Sequence, residues 1–337
     1  MKRELSEKIR VASFVATVLV VLRHSYTISA FYPAGNEPYW LNRFEWGTLF
    51  WTDVAVPFFF FVSGYFFMRH DYVADGTYFA MLRKKASTLL VPFVIWNVVG
   101  GLVLFFYDSE GNLGASATEC LRNFMLSRWY GPLWYVRDLM LFMLAFPLYG
   151  WLYRRRLWPM LLLLIIYMMW NKWWPADVSL LSWEGIIFFL LGGLFQRRPS
   201  LLDRRPSAII ALLMLVVWVA YSFTFTSWER WPHRIGLLVG LPAFWLSLDL
   251  LPRRVWHFCR RLSGYSFLIY VTHFYAVKVL KVGLAYFMAD SASVAFAAFA
   301  AFFVIPVVII AVTVVVGRWW RRLSSKTYSV CMGGRLF

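Results

Sequence analysis

The chain has 337 residues, 61% of them hydrophobic and 15% charged, with a mean hydropathy of +0.61. A soluble domain averages roughly 45–50% apolar and about 25% charged, so this composition excludes one. The formal net charge of +17 would suit nucleic acid in a soluble protein, but Lys and Arg cluster here in short loops between apolar runs, a pattern of membrane topology rather than of nucleic-acid binding.

Only helices and closed barrels can cross lipid, because every backbone polar group must be satisfied internally. The apolar runs do not alternate as barrel strands do. The sequence therefore predicts an all-α integral membrane protein: one polytopic domain over residues 1–337, a bundle of about ten transmembrane helices.

The N-terminus, MKRELSEKIR, has the charge of a signal-peptide n-region, but the run behind it is too long, so it reads as an uncleaved first span. That run, residues 11–31, is long enough to cross a bilayer and contains Arg23 and His24. An ionisable pair inside a span is a functional-site candidate. The alternative is an arginine that snorkels to the headgroups and a histidine in a helix–helix contact. The second stretch, 52–69, carries Ser63-Gly64 within VPFFFFVSGYFF, where glycine allows close helix packing.

The third stretch, 86–107, follows Arg83, Lys84 and Lys85. Bases at a helix N-terminus make a phosphate site, or else a positive-inside anchor. The fourth, 133–153, opens GPLWYVRDLM with Trp134, Tyr135, Arg137 and Asp138. Adjacent helix residues do not face each other, so Arg137 and Asp138 each need another partner or water. Stretches at 157–174, 183–197, 206–224 and 234–250 follow, then a ninth at 265–285 with His273 in GYSFLIYVTHF and a tenth at 293–316. Counting along the helices puts His24 in the outer half, about 20 Å beyond Val11, and His273 near the midplane, about 12 Å deep.

Six basic clusters fall on one side: Lys2 to Arg10, Arg69 with Arg83 to Lys85, Arg154 to Arg156, Arg197 to Arg205, Arg253 to Arg261 and Arg318 to Lys326. Acids, among them Glu37, Glu45, Asp53, Asp177, Glu184 and Asp290, fall on the other. By the positive-inside rule both termini are cytoplasmic. Cys120 then lies opposite Cys259 and Cys331, which argues against a disulfide framework. Aromatics at span ends, such as Trp40 and Trp320, fit an interfacial belt. No metal-ligand spacing, P-loop or dinucleotide fingerprint is present.

The stretches ASFVATVLVVLRHS, PFFFFVSGYFF, RKKASTLLVPFVIW, GPLWYVRDL and GYSFLIYVTH occur in order from the first run to the ninth. Together they resemble the membrane-bound acyltransferase-3 family, O-acyltransferases of extracytoplasmic glycans. The resemblance implies a cytoplasmic acyl-CoA donor, expected to be acetyl-CoA, a sugar or glycan hydroxyl acceptor on the outer side of the cytoplasmic membrane, and no metal. It puts the family's catalytic histidine on His24.

The implied roles are then these. Arg10, Arg83, Lys84 and Lys85 meet the donor phosphates. The acceptor approaches His24 near Trp134, Tyr135, Arg137, Asp138 and Asp53, with Glu184 a further candidate. Arg23 or His273 stabilises the oxyanion, and His24 acts as general base or forms an acyl intermediate. The family usually has an arginine eleven residues before that histidine; here the position is Ser13, and Arg10 is the nearest base on that face. Two other classes fit a polytopic chain: a transporter of a small polar or acidic solute, and a non-catalytic component of polysaccharide assembly. No hydropathy symmetry between halves favours the transporter.

Overall fold

The computed structural model describes residues 3–33, 35–107, 111–155, 157, 181–203, 206–224, 230–288 and 294–335. Among them every regular element is helical. Four helical stretches are long and apolar enough to cross a membrane: Tyr39–Phe67, Tyr78–Phe106, Arg253–Met288 and Val294–Leu323. Large apolar side chains also point outward, including Phe106, Ile209, Val307 and Phe296. A helix exposed to water would be polar there, so these faces suit lipid. The protein is a membrane protein.

The chain divides into two compact units, Met1–Phe59 with Ser200–Leu323, and Phe60–Pro199 with Ser324–Phe337. The first unit begins with α1 (Arg3–His24), which has Glu4 in its first turn and Arg23 and His24 in its last, the arrangement a helix dipole favours. The apolar run 11–31 is thus not one helix. It stops at His24, turns, and resumes as the short α2 (Ile28–Phe31). The break falls in the polar run Arg23 to Thr27 and is held by tertiary contacts. Ser25 Oγ turns back to the Val21 carbonyl, and Glu45 of α3 (Tyr39–Thr52) accepts the N–H groups of Thr27 and Ile28 at 2.8 and 3.3 Å. These are donors that a helix start leaves open.

The second stretch likewise begins earlier than its apolar signal, with α3 followed by α4 (Ala55–Phe67). Glu45 is therefore no loop acid but a fully buried helical one.

The second unit holds the later part of α4, then α5 (Tyr78–Lys85), a π-helical turn (Ala86–Leu90) and α6 (Val91–Phe106). Helix runs without interruption from residue 78 to 106. Pro92 has no N–H and crowds the carbonyl four residues back, and a wider turn just before it relieves both problems. Arg83, Lys84 and Lys85 consequently lie in the last turn of α5, inside continuous helix. The helix-N-terminus argument for a phosphate site there fails, since no open N–H groups exist at that point.

Next come α7 (Ala117–Met125), α8 (Trp134–Leu144), α9 (Phe146–Arg154) and α10 (Trp183–Gln196), so the fourth stretch is two helices divided at Ala145. The fifth stretch, apart from Leu157, lies outside the described residues. Inside this unit α4 and α10 touch backbone to backbone. A Cβ at Gly64 would sit 1.9 Å from the Phe189 carbonyl oxygen, and one at Gly192 1.9 Å from that of Phe61. Ser63-Gly64 is thus a packing motif, and α4's phenylalanines fill the space around it: Phe60 meets Phe142 at 5.5 Å, and Phe67 meets Phe189 at 5.7 Å.

The first unit resumes with α11 (Ala208–Thr224), α12 (Arg230–Ser247), α13 (Arg253–Leu262), α14 (Ser266–Met288) and α15 (Val294–Leu323). Its core is α1 packed on the last three: Val11, Phe14 and Val21 meet Cys259, Ile269, Val277, Ile305 and Ile309. A last helix, α16 (Ser325–Cys331), belongs to the second unit, where the Trp96 indole donates to the Cys331 carbonyl at 3.1 Å.

Candidate functional site

The first unit gathers its ionisable residues around the end of α1. Arg23 donates to the Leu49 carbonyl at 2.8 Å and pairs with Asp53 at 3.1 Å. Leu49 is in the last turn of α3, where carbonyls lack helical partners. The other Asp53 oxygen lies 2.9 Å from His233 Nε2, and the His233 ring packs edge-on against Phe50 at 5.5 Å. An Arg23–Asp53–His233 chain therefore ties α1 to α3 and α12.

His24 follows directly. Its ring centroid is 5.1 Å from that of His273 and 5.4 Å from Phe274, both on α14. Among the described residues neither His24 nitrogen has a hydrogen-bond partner. His24 is partly exposed, whereas His273 is fully buried. The two rings lie side by side, not at separate depths as counting along the spans suggested. Depth counts start from guessed helix ends, and α1 and the helix leading into α14 both begin well before their apolar stretches.

His273 Nδ1 lies 2.7 Å from the Tyr270 carbonyl oxygen. A carbonyl can only accept, so Nδ1 carries the proton and Nε2 of the neutral ring carries a lone pair. That Nε2 is buried without a hydrogen-bond partner among the described residues. In this tautomer His273 accepts at Nε2 and has no second N–H for an oxyanion.

The turn after His24 is held from two sides. Besides the two backbone N–H groups, Glu45 accepts the Thr27 hydroxyl, which also reaches the Ala298 carbonyl at 3.1 Å. Lys281 of α14 donates to the Tyr26 carbonyl at 2.9 Å, and Lys278 stands 5.0 Å over the Phe274 ring. His233, Glu45 as a buried group, Lys278 and Lys281 were missed from sequence. Two lysines three residues apart inside an apolar run were the available signal for the last two.

The remaining candidates divide between the units. Arg10 is exposed on α1, and Ser13 donates back to the Ile9 carbonyl at 2.8 Å. Asp53 belongs to the first unit, and Trp134, Tyr135, Arg137 and Asp138 to the second. There the Tyr135 and Ser63 hydroxyls are 3.0 Å apart, and the Trp134 and Tyr135 rings pack on Phe60 at 6.0 and 4.7 Å.

Arg137 and Asp138, expected to face apart, do pair: Nε and Nη2 donate to Oδ1 at 3.0 and 2.8 Å. The arginine side chain is long enough to curl across the one-residue step. Each also has the further partner that was expected, the Leu126 carbonyl for Arg137 and the Ser182 N–H for Asp138. Among the described residues no group of three His, Cys, Asp or Glu side chains could hold a metal, and Cys120, Cys259 and Cys331 are free thiols.

Comparison with known proteins sets this geometry in context. The acyltransferase-3 profile, described as an acyltransferase domain, matches residues 8–316. The chain is 28% identical over 325 residues to the succinoglycan biosynthesis protein ExoH of Rhizobium meliloti (strain 1021), a match covering 88% of this chain and 82% of that protein. No solved structure matches. With the profile spanning both the His24 end of α1 and the His273 segment of α14, the chain belongs to the acyltransferase-3 family.

Proposed function

We propose that this membrane acyltransferase moves an acyl group, acetyl in the first instance, from cytoplasmic acyl-CoA to a hydroxyl of a polysaccharide on the outer face of the cytoplasmic membrane. The polysaccharide reading leans on the relative ExoH, whose name places it in succinoglycan biosynthesis. The observation that carries the chemistry is His24, partly exposed at the end of α1 with both ring nitrogens unbound among the described residues.

In this reading ten helices cross the membrane and both termini are cytoplasmic, as the six basic clusters favour. Arg10 and His24 are fourteen residues apart, about 21 Å along the helix, so donor phosphates and acceptor hydroxyl approach opposite ends of α1. His24 removes the proton from the hydroxyl as its oxygen attacks the thioester carbonyl. Arg23, fixed by Asp53 and the Leu49 carbonyl, supplies positive charge near the oxyanion. The intermediate collapses with cleavage of the C–S bond, and the proton passes from His24 to the leaving thiolate. Arg83, Lys84 and Lys85 as donor contacts, and Trp134, Tyr135, Arg137 and Asp138 as acceptor contacts, are candidates for single substitution.

Mass spectrometry of the surface polysaccharide from cells with the gene, without it, and with His24→Ala tests this. The expected result is an acetyl increment present only with the unaltered gene. An increment that persists with His24→Ala at normal protein abundance refutes the role of His24.

A further inference from the structure

We infer that His273 is the positioning residue of His24: its Nε2 lone pair accepts the ring N–H of His24 and so leaves the other His24 nitrogen as the base. This deepens the proposed function and rests on it for the catalytic part, though not for the hydrogen bond itself.

The 2.7 Å contact to the Tyr270 carbonyl fixes the proton on Nδ1, so the buried and unpartnered Nε2 needs a donor. An unanswered acceptor inside a membrane protein is costly. The neighbouring ring is His24, with centroids 5.1 Å apart and planes tilted by 47°. Its nitrogens have no hydrogen-bond partner among the described residues, so a His24 N–H is the neighbouring donor available to that lone pair.

The other groups around His24 are unsuited to this task. Lys281 is occupied by the Tyr26 carbonyl, Lys278 lies over Phe274, Asp53 holds Arg23 and His233, and Glu45 holds Thr27 and Ile28. The result is a relay ordered Tyr270 carbonyl, His273, His24, hydroxyl. One proton moves from the hydroxyl to His24 and then to the thiolate, while His273 keeps its Nδ1 proton throughout. An orienting group behind a catalytic imidazole has this effect in other folds, where it selects the tautomer.

The first test is nitrogen NMR of the full chain, labelled with 15N-histidine and held in lipid nanodiscs without substrate. The expected spectrum shows His273 unprotonated at Nε2 and a scalar coupling between that atom and a His24 nitrogen, lost in His24→Ala. A proton on Nε2, or no coupling, overturns the inference whether or not the protein transfers acetyl groups.

The second test is CoA release from acetyl-CoA by purified variants. His273→Phe should lower kcat by roughly ten- to a hundred-fold, the value of one hydrogen bond to a charged group, with the acetyl-CoA KM within about twofold. His273→Gln, which restores an acceptor oxygen, should recover part of the loss. Equal kcat for the Phe and Gln variants overturns the positioning role. Absence of CoA release from the unaltered protein counts against the proposed donor and leaves the NMR result standing.

Discussion

Replacing Glu45 tests whether the turn that ends α1 is held by tertiary contacts. Glu45 is fully buried and accepts from the Thr27 N–H, the Ile28 N–H and the Thr27 hydroxyl. In Glu45→Ala the hydroxyl keeps the Ala298 carbonyl, but both N–H groups lose their acceptor. An orphaned buried donor costs about 1–3 kcal/mol, so the two together cost about 2–6 kcal/mol. Loss of the carboxylate at the start of α2 adds about 0.3–1 kcal/mol. Glu45→Gln keeps one oxygen for both N–H groups and can donate its NH2 to the Thr27 hydroxyl, which itself donates to Ala298, so it should fall between the unaltered protein and the Ala variant. The assay is thermal unfolding in nanodiscs. At roughly 2–4 °C per kcal/mol for a unit of this size, the Ala variant should melt at least about 4 °C lower. A Glu45→Ala protein that melts with the unaltered chain, or a Gln variant less stable than the Ala one, refutes the reasoning.

Gly64→Ala should destabilise the second unit by about 1–3 kcal/mol or more, because the new methyl meets the Phe189 backbone, which cannot swing aside as a side-chain tip can; unchanged thermal unfolding would contradict this. At Asp71, burial pushes the carboxyl up, but the Arg154 hydrogen bonds at 2.7 and 2.9 Å and the Ala74 N–H outweigh it and hold the group below its ordinary value. A lowered folded-state value means stabilisation that is complete above the unfolded value of about 3.9 and lost as pH falls through the folded one. Acidification to about pH 3 should therefore lower the melting temperature more in the unaltered protein than in Arg154→Ala. If Arg10 meets donor phosphate, Arg10→Ala should raise the acetyl-CoA KM by roughly ten- to a hundred-fold with abundance unchanged, and Ser13→Arg should restore part of it; lower abundance with a normal KM would mark Arg10 as an anchor.

Much of the helix pattern was legible because lipid writes it plainly. The stretches at 183–197 and 206–224 correspond to Trp183–Gln196 and Ala208–Thr224, where basic or polar residues bound apolar runs. Errors fell where polarity and helicity part company. Asn42, Arg43 and Glu45 made 39–51 look like a loop, yet this is α3: Asn42 bonds to Glu37, Arg43 to the Phe223 carbonyl, and Glu45 to the α1–α2 turn. The opposite error came inside 11–31, where one span was carried across the polar run Arg23 to Thr27 although the helix stops at His24 and resumes at Ile28. Its cause, Glu45, lies eighteen residues from Thr27. In the site, His24 and His273 stood out as ionisable residues inside apolar runs. Their adjacency did not, nor did His233 behind Asp53, because no local pattern encodes a contact between helices so far apart in the chain.

The placement of the buried charges separates what is fixed in this site from what is left open. Helices in lipid gain no hydrophobic drive toward one another, so polar contacts carry much of their register. α1 is tied near both ends. Lys8 pairs with Asp249 at 2.7 Å beneath the Trp245 ring, and fifteen residues on, about 22 Å along the helix, Arg23 pairs with Asp53. Just beyond His24, Lys281 and Glu45 hold the backbone of Tyr26, Thr27 and Ile28. The Arg23 side chain before His24 and the backbone after it are therefore clamped by groups on α3 and α14, while the His24 ring lies against the rings of His273 and Phe274. A purely structural histidine would be expected to spend its nitrogens on such ties. Here arginine, lysine and carboxylates make them, and the imidazole is set in place with a nitrogen left over for the hydroxyl even when the other meets His273, as a group that must take up and release a proton requires.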